Sequence, residues 1–188
     1  MTRLLLLSLC LFSAAAGANE WGLDPLMQSL ALKQSERASF VEKKTISYLD
    51  KPVESSGELY YRSPDLLEKI TVKPKPELLR IEGDQLTIER GKKKHQVSLA
   101  EHPEIGGFVD SIRGTLAGDK KALERSYQLK LDGIPERWTL SLTPTDPKMI
   151  AMIQKITIGG RRGDVRSIEI QQADGDRSVM NIERISEQ

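Results

Sequence analysis

The chain has 188 residues, with 28 lysines and arginines against 27 aspartates and glutamates, and a net charge of +1 at pH 7. This length suits a single domain, and so balanced a charge provides no broad positive field that would attract nucleic acid or anionic lipid. The one cysteine, Cys10, lies in an apolar N-terminal stretch. The rest of the chain is therefore expected to fold without disulfides, on its hydrophobic core and hydrogen bonds.

Residues 1–18 have the order of a secretory signal peptide. Arg3 supplies a positive start, residues 4–12 are almost wholly apolar, and residues 16–18 (AGA) fit the small-residue rule for cleavage before Asn19. The apolar stretch is shorter than the roughly 20 residues of a membrane anchor, and Cys10 follows a bulky leucine, unlike a lipoprotein signal. We predict a signal peptide at 1–18, a single exported domain at 19–188, and no membrane-spanning segment after cleavage.

The first element predicted after the signal is a helix over residues 24–38. Asp24 is a suitable N-cap and Pro25 suits the first helical position. The approximate apolar stripe of this helix consists of Leu26, Met27, Leu30 and Leu32. The polar residues 33–37 predict a solvated second half.

Residues 41–99 form short segments of alternating polarity that are separated by turn residues. Leu59 and Tyr61, for example, face the opposite way from Glu58 and Tyr60. Turns are predicted at residues 63–65, 74–76, 82–84 and 91–93. Short strands that are separated by turns at near-regular intervals indicate an antiparallel sheet.

The centre of the chain predicts an amphipathic helix instead. Its apolar residues fall at steps of three and four, at Ile105, Phe108, Val109, Ile112 and Leu116. Gly106 and Gly107 precede the densest part of this stripe and would permit a hinge. Gly118 is expected to end the helix, and Asp119 to cap a short helical segment after it.

Strands resume at Tyr127, with turns predicted at 132–133, 159–164 and 174–176 and one helical turn at 149–153. Parallel βαβ units would need a helix between most strands, and the pattern lacks these helices. We therefore predict an α+β fold that is mainly β. It consists of one large, strongly curved antiparallel sheet with two helices against one face.

No motif in the sequence predicts catalysis or metal binding. His95 follows a basic turn and His102 precedes a proline, with no cysteine to join them as a ligand. Glu101 and Glu104 are typical of a solvated connection rather than of an acid–base pair. The DGD motif at 174–176 is typical of a tight turn rather than of a calcium loop. We predict a protein that is not an enzyme and needs no cofactor or metal.

A curved sheet leaves two possibilities for its concave face. If the helices fill the face only partly, an elongated apolar groove results, which suits an acyl chain. If they fill it completely, the apolar residues are ordinary core, and composition alone favours this second possibility. Three functions stay open: a carrier of a hydrophobic molecule, a non-catalytic protein-interaction module with a filled core, and an enzyme acting on lipids.

Six segments in sequence order carry a likeness to a known family. They are residues 39–44 (SFVEKK), 49–65 (LDKPVESSGELYYRSPD), 82–86 (EGDQL), 116–119 (LAGD), 138–144 (WTLSLTP) and 174–176 (DGD). Together they resemble the LolA group of periplasmic lipoprotein carriers, including LolA-related proteins encoded beside lipid and polyene biosynthesis enzymes. The likeness extends over nearly all of the chain after the signal.

The resemblance implies an unclosed antiparallel β-barrel with a helical lid over an apolar groove. It implies a monomeric, non-catalytic carrier that transfers lipoprotein acyl chains, a lipid or a polyene lipid towards the outer membrane, between an inner-membrane donor and an outer-membrane acceptor. The groove and lid are then expected at Phe40, Leu59, Tyr61, Leu66, Ile105, Phe108, Val109, Ile112, Leu116, Trp138 and Leu140.

The chain departs from the family pattern at Glu68 and Lys69. Lipoprotein carriers that it resembles usually have an arginine followed by an aromatic residue there, and that arginine is associated with fastening the lid. The resemblance therefore carries no lid-fastening residue over to this chain. Because Phe40 and Phe108 are the only phenylalanines after the signal, the groove is expected to be mainly aliphatic.

Overall fold

The computed structural model describes residues 21–185, so the predicted signal peptide lies outside the described residues. The helices are Leu23–Ala31 (α1), Pro103–Leu116 (α2), Lys120–Glu124 (α3) and Pro147–Ile150 (α4). The strands are Ser35–Thr45 (β1), Val53–Arg62 (β2), Leu66–Lys73 (β3), Glu77–Glu82 (β4), Gln85–Arg90 (β5), Lys93–Ser98 (β6), Tyr127–Ile134 (β7), Arg137–Pro144 (β8), Ile153–Arg161 (β9), Asp164–Gln172 (β10) and Arg177–Arg184 (β11). Across this range, every helix is too short or too polar to traverse a bilayer.

All the strands belong to one 11-stranded sheet, in the order β6-β5-β4-β3-β2-β1-β11-β10-β9-β8-β7. Every neighbouring pair is antiparallel. Strands β6 and β7 form the two edges and do not pair with each other within residues 21–185, so the sheet is not closed into a barrel. The chain passes from one edge to the other through α2 and α3. This architecture confirms the predicted unclosed antiparallel fold.

Helix α1 is shorter than the helix predicted over residues 24–38. It begins at Leu23, so Asp24 lies in the first turn rather than at the N-cap, and Pro25 takes the third helical position. The predicted helical conformation of residues 33–37 is wrong, because residues 35–37 already form the start of β1 and pair with the end of β2, although most of these polar residues are exposed as predicted. Backbone pairing within the sheet outweighs the weak local preference of these polar residues for a helix.

Helix α2 matches the predicted central helix and begins two residues earlier, at Pro103. Gly118 follows it with a φ of +65°, a left-handed conformation that glycine adopts at low cost. The Asp119 carboxylate accepts a hydrogen bond at 2.9 Å from a backbone N–H of α3, as predicted. Inside α2, a Cβ at Gly107 would collide with Met149 of α4. Close packing between the two helices therefore accounts for Gly107 without a hinge.

One half of the concave face is filled by α1, α3 and α4, which pack on strands β7–β9. We call this the filled half; its buried residues are Leu26, Met27, Leu30, Leu123, Tyr127, Trp138, Leu140, Leu142, Met149, Ile153, Ile156 and Ile158. Trp138 faces Gly160 across the β8–β9 pair, where any Cβ would collide with the indole ring. The indole N–H donates a hydrogen bond at 2.8 Å to the Arg162 carbonyl oxygen. Burying each large apolar side chain contributes about 1.5–3 kcal/mol to folding.

Candidate functional site

The other half of the concave face belongs to strands β1–β4 and β10–β11 and lies under α2. Inward-facing residues alternate along each strand, and the register sets them side by side across the sheet. Ala38 pairs with Leu59, Leu59 with Lys69, and Lys69 with Leu79. The next inward row, closer to the turns between β2 and β3 and between β4 and β5, consists of Tyr61, Leu67 and Ile81.

These strands and α2 enclose a mainly aliphatic cavity of about 230 Å³, which we call the apolar cavity. Helix α2 contributes one wall, and the sheet contributes the rest, mainly through Ala38, Leu59, Tyr61, Leu67, Leu79, Ile81, Val165, Ile168, Ile170, Met180 and Ile182. Five further residues of the sheet also line it, namely Glu36, Tyr60, Glu68, Lys69 and Arg184. Pockets that hold a drug-sized ligand usually measure about 300–1,000 Å³. The apolar cavity is therefore too small for a long acyl chain unless α2 moves away from the sheet.

Six of the predicted groove residues line the apolar cavity, namely Leu59, Tyr61, Phe108, Val109, Ile112 and Leu116. The four on α2 lie together because steps of three and four place them on one helical stripe, and this stripe faces the sheet. Ile105 belongs to the same sequence pattern, but it lies on the first turn of α2 and outside the cavity lining.

The other predicted residues are buried outside the cavity lining. Trp138 and Leu140 belong to the filled half. Leu66 is 3% exposed at the first position of β3, and its neighbour Leu67 lines the cavity instead. Phe40 is buried on the inward face of β1, and the Lys69 Nζ lies 5.0 Å from the centroid of its ring.

Strands β10 and β11 also line the cavity, through Val165, Ile168, Ile170, Met180 and Ile182, and the sequence pattern did not predict this. The alternation of Ile168 and Ile170 is visible in the sequence. Its place in the sheet depends on the pairing of β11 with β1, which joins the two ends of the described chain. Local periodicity carries no information about such a long-range pairing.

Arg113 fastens α2 to the turns at one end of the cavity. Its Nη2 donates hydrogen bonds to the Asp65 carbonyl oxygen at 2.9 Å and to the Gly83 carbonyl oxygen at 2.6 Å. Asp65 lies between β2 and β3, and Gly83 between β4 and β5. An arginine on the helix therefore contacts backbone carbonyl groups in two turns of the sheet.

A polar layer, formed by Glu42, Lys69, Ser55 and Ser178, borders the cavity on the inward face. The Glu42 carboxylate accepts hydrogen bonds from Lys69 Nζ, from Ser178 Oγ at 2.6 Å and from Ser55 Oγ at 3.2 Å. Burial alone would raise the pKa of Glu42, but the hydrogen bonds from Lys69 and Ser178 outweigh it and hold the pKa below its ordinary value of 4.5. Glu42 is therefore ionised at neutral pH and paired with Lys69.

The wall of the apolar cavity contains one polar group that has no protein partner among residues 21–185. Tyr61 is 5% exposed, and its hydroxyl makes no hydrogen bond to the described part of the chain. A buried hydroxyl without a partner costs about 1–3 kcal/mol. An oxygen atom on a bound molecule would satisfy this hydroxyl.

The residues first considered for catalysis or metal binding lie away from the cavity. His95 is exposed on β6, and Glu101 is exposed in the connection before α2. His102 precedes α2, with its Nδ1 3.5 Å from Glu104 Oε1. In the tight turn between β10 and β11, the Asp174 carboxylate accepts a hydrogen bond from a backbone N–H at 3.0 Å. Residues 21–185 contain no cluster of three or more histidines, cysteines or carboxylates able to hold a metal ion.

Several solved structures and one sequence family are similar to this chain. A LolA superfamily protein from Nitrosomonas europaea is similar over 88% of this chain and 92% of its own, with a TM-score of 0.48 and 11% identity. A DUF1329 family protein from Desulfovibrio piger is similar over 85% of this chain and 88% of its own, with a TM-score of 0.49 and 12% identity. Lipoprotein LppX from Mycobacterium tuberculosis is similar over 85% of this chain and 92% of its own, with a TM-score of 0.43 and 14% identity. No curated protein sequence matches the chain. The profile of the outer membrane lipoprotein carrier protein LolA-like family matches residues 14–182, and the chain belongs to that family.

Proposed function

We propose that this protein is a periplasmic carrier that shields the acyl chain of a lipid, a lipoprotein or a polyene lipid and transfers it towards the outer membrane. The observation that carries the proposal is the contrast between the two halves of the concave face. The filled half is packed by three helices, whereas the half under α2 keeps an apolar cavity of about 230 Å³. Membership of the LolA-like family supports the same function.

Helix α2 is the lid in this proposal. Its apolar stripe faces the cavity, and Arg113 holds it to the turns of the sheet through two hydrogen bonds. Release of these bonds, and of the hydrogen bond from the Tyr127 hydroxyl to the Gly107 carbonyl oxygen, would let the helix move outward and enlarge the cavity for cargo. A carrier of this kind performs no chemistry, needs no cofactor, and works between an inner-membrane donor protein and an outer-membrane acceptor protein.

The alternative is a non-catalytic protein-interaction module. Its docking sites would be the outer edges of β6 and β7, which pair with no further strand among residues 21–185. Such edges can take up a strand from another protein. In this alternative the apolar cavity is only imperfect packing and binds nothing.

The experiment compares Phe108→Ser with Ile105→Ser. Both residues are partly buried on α2, but only Phe108 lines the apolar cavity. Truncating a fully buried phenylalanine costs about 3–5 kcal/mol. We expect Phe108→Ser to cost less than this, because the ring faces a cavity, and to weaken the binding of a neutral fluorescent hydrophobic probe. Ile105→Ser is expected to leave probe binding unchanged.

Chemical denaturation and probe titration are measured on the same purified variants, and native mass spectrometry of the parent protein detects copurified lipid. A parent protein that binds neither probe nor lipid would contradict the carrier function. Combined with a full core-type stability loss in Phe108→Ser, that result would favour the interaction module.

A further inference from the structure

We propose that the cargo is an acyl lipid with a single anionic oxygen headgroup, and that Lys69 binds this headgroup at the end of the apolar cavity. This inference rests on the proposed carrier function and specifies the chemical class of the cargo. Both a free carboxylate and a phosphate ester have the required chemistry.

Lys69 lies where the inward face of the sheet changes from apolar to polar. Its cross-strand partners Leu59 and Leu79 line the apolar cavity. Two residues further along β3, Thr71 pairs with Glu77. Lys69 lines both the apolar cavity and a second cavity of about 680 Å³ beyond it, and it is the residue common to the two linings. An acyl chain in the first cavity would therefore end at the Lys69 ammonium.

The charges in the second cavity favour an anion. Its lining includes the cations Lys69, Lys75 and Arg90 and the carboxylates Glu42 and Glu77. Lys69 is paired with Glu42 and Arg90 with Glu77, so the positive charge in excess is that of Lys75. The ammonium group of a lysine has three donors, and Lys69 uses one of them on Glu42. One anionic oxygen group on the cargo would neutralise the excess and use a remaining donor.

The polar layer allows Lys69 to change partners. If Lys69 turns towards a headgroup, the Glu42 carboxylate keeps its hydrogen bonds from Ser178 and Ser55. Breaking a buried ion pair is costly when it leaves a charge without any partner. The two serine hydroxyls prevent this for Glu42. The hydroxyl of Tyr61 supports a cargo with oxygen atoms as well, since it lacks a protein partner among residues 21–185.

The test compares three ligands that share one chain: oleate, oleoyl lysophosphatidate and oleyl alcohol, each below its critical micelle concentration. They displace a neutral fluorescent probe from the parent protein, Lys69→Met and Lys69→Arg. Loss of one charge-assisted hydrogen bond is expected to weaken both anions about tenfold in Lys69→Met. Oleyl alcohol is expected to bind equally well, and Lys69→Arg to retain the anions. Lys130→Met, at an exposed position on β7, is the matched control.

Glu42→Gln provides a second variant that tests the same idea in the opposite direction. Removing the carboxylate that competes for Lys69 should strengthen the binding of both anions and leave oleyl alcohol unchanged. Equal effects of Lys69→Met on all three ligands, or weaker anion binding in Glu42→Gln, would overturn the headgroup site. If the parent protein binds none of the three ligands, the carrier function itself is wrong. The ratio of oleate to lysophosphatidate affinity distinguishes the carboxylate from the phosphate ester.

Discussion

The guanidinium of Arg113 donates a hydrogen bond to the carbonyl oxygen of Asp65 at 2.9 Å, and so joins helix α2 to the turn between β2 and β3. The same Nη2 reaches the Gly83 carbonyl oxygen at 2.6 Å. Arg113 is 15% exposed, so these bonds are shielded from water. Arg113 thus joins the helix that covers the apolar cavity to two turns of the sheet, and on β7 the Tyr127 hydroxyl also donates a hydrogen bond to the Gly107 carbonyl oxygen of this helix at 3.1 Å.

The first prediction follows from this contact. Arg113→Met should lower the free energy of unfolding by about 1–3 kcal/mol, because two carbonyl groups lose a charged donor. Amide hydrogen exchange in α2 should become faster, and the hydrophobic probe should bind faster, because the lid opens more often. Arg161→Met, at an exposed arginine at the end of β9, serves as the control. Unchanged exchange in α2 would show that Arg113 does not hold the lid.

The local features of the fold were predictable from the sequence. The stripe of α2 and the cap at Asp119 follow from spacing and side-chain chemistry within a few residues. The DGD turn between β10 and β11 also follows from the chemistry of residues that are close in the sequence. Such features depend on interactions between close neighbours in the chain, and these can be recognised without knowing the sheet.

The division of the concave face into two halves was not predictable in the same way. Leu140 and Leu59 both lie on strands whose residues alternate between apolar and polar. Leu140 is packed in the filled half, whereas Leu59 lines the apolar cavity. The difference arises from which strands α1, α3 and α4 cover, and this depends on the β1–β11 pairing. The contact of Arg113 with Gly83 likewise joins residues that are far apart in the sequence.

The second prediction concerns processing of the N-terminus. Residues 1–18 have the charged, apolar and small-residue order of a cleaved signal. The exported protein should therefore begin at Asn19 and carry no lipid. Intact mass spectrometry of protein purified from the periplasm measures this directly. A diacylated species, or a mass that includes Cys10, would contradict the prediction.

The third prediction uses the lowered pKa of Glu42. A carboxylate whose pKa is lower in the folded state stabilises the fold above its unfolded pKa, and this contribution is lost as the pH falls through the folded value. Glu42→Gln should therefore be less stable than the parent near neutral pH, and the difference should shrink below the ordinary value of 4.5. Urea denaturation at several pH values provides the measurement. A difference that does not depend on pH would mean that the Glu42 charge contributes nothing.

The fourth prediction concerns the unpaired hydroxyl of Tyr61. Tyr61→Phe removes a buried donor that has no protein partner among residues 21–185, so the variant should be as stable as the parent or more stable, by up to about 1 kcal/mol. Thermal and urea denaturation of the empty protein test this. A loss of stability would show that the hydroxyl has a partner in solution, and the argument for an oxygen-bearing cargo from Tyr61 would fail.

The last prediction compares the same substitution in the two halves of the concave face. Ile158→Ala lies in the filled half, where the side chain is 1% exposed, and should cost about 2–5 kcal/mol. Ile112→Ala lies on α2, where the side chain is only partly buried and borders the apolar cavity, so its cost should fall clearly below this range. Ile112→Ala should nevertheless change the affinity for the hydrophobic probe, whereas Ile158→Ala should not once its lower stability is taken into account. Equal stability losses at the two positions, with no change in probe affinity for either, would mean that the cavity under α2 is packed in solution as tightly as the filled half. Such packing would leave no space from which a lid could release cargo.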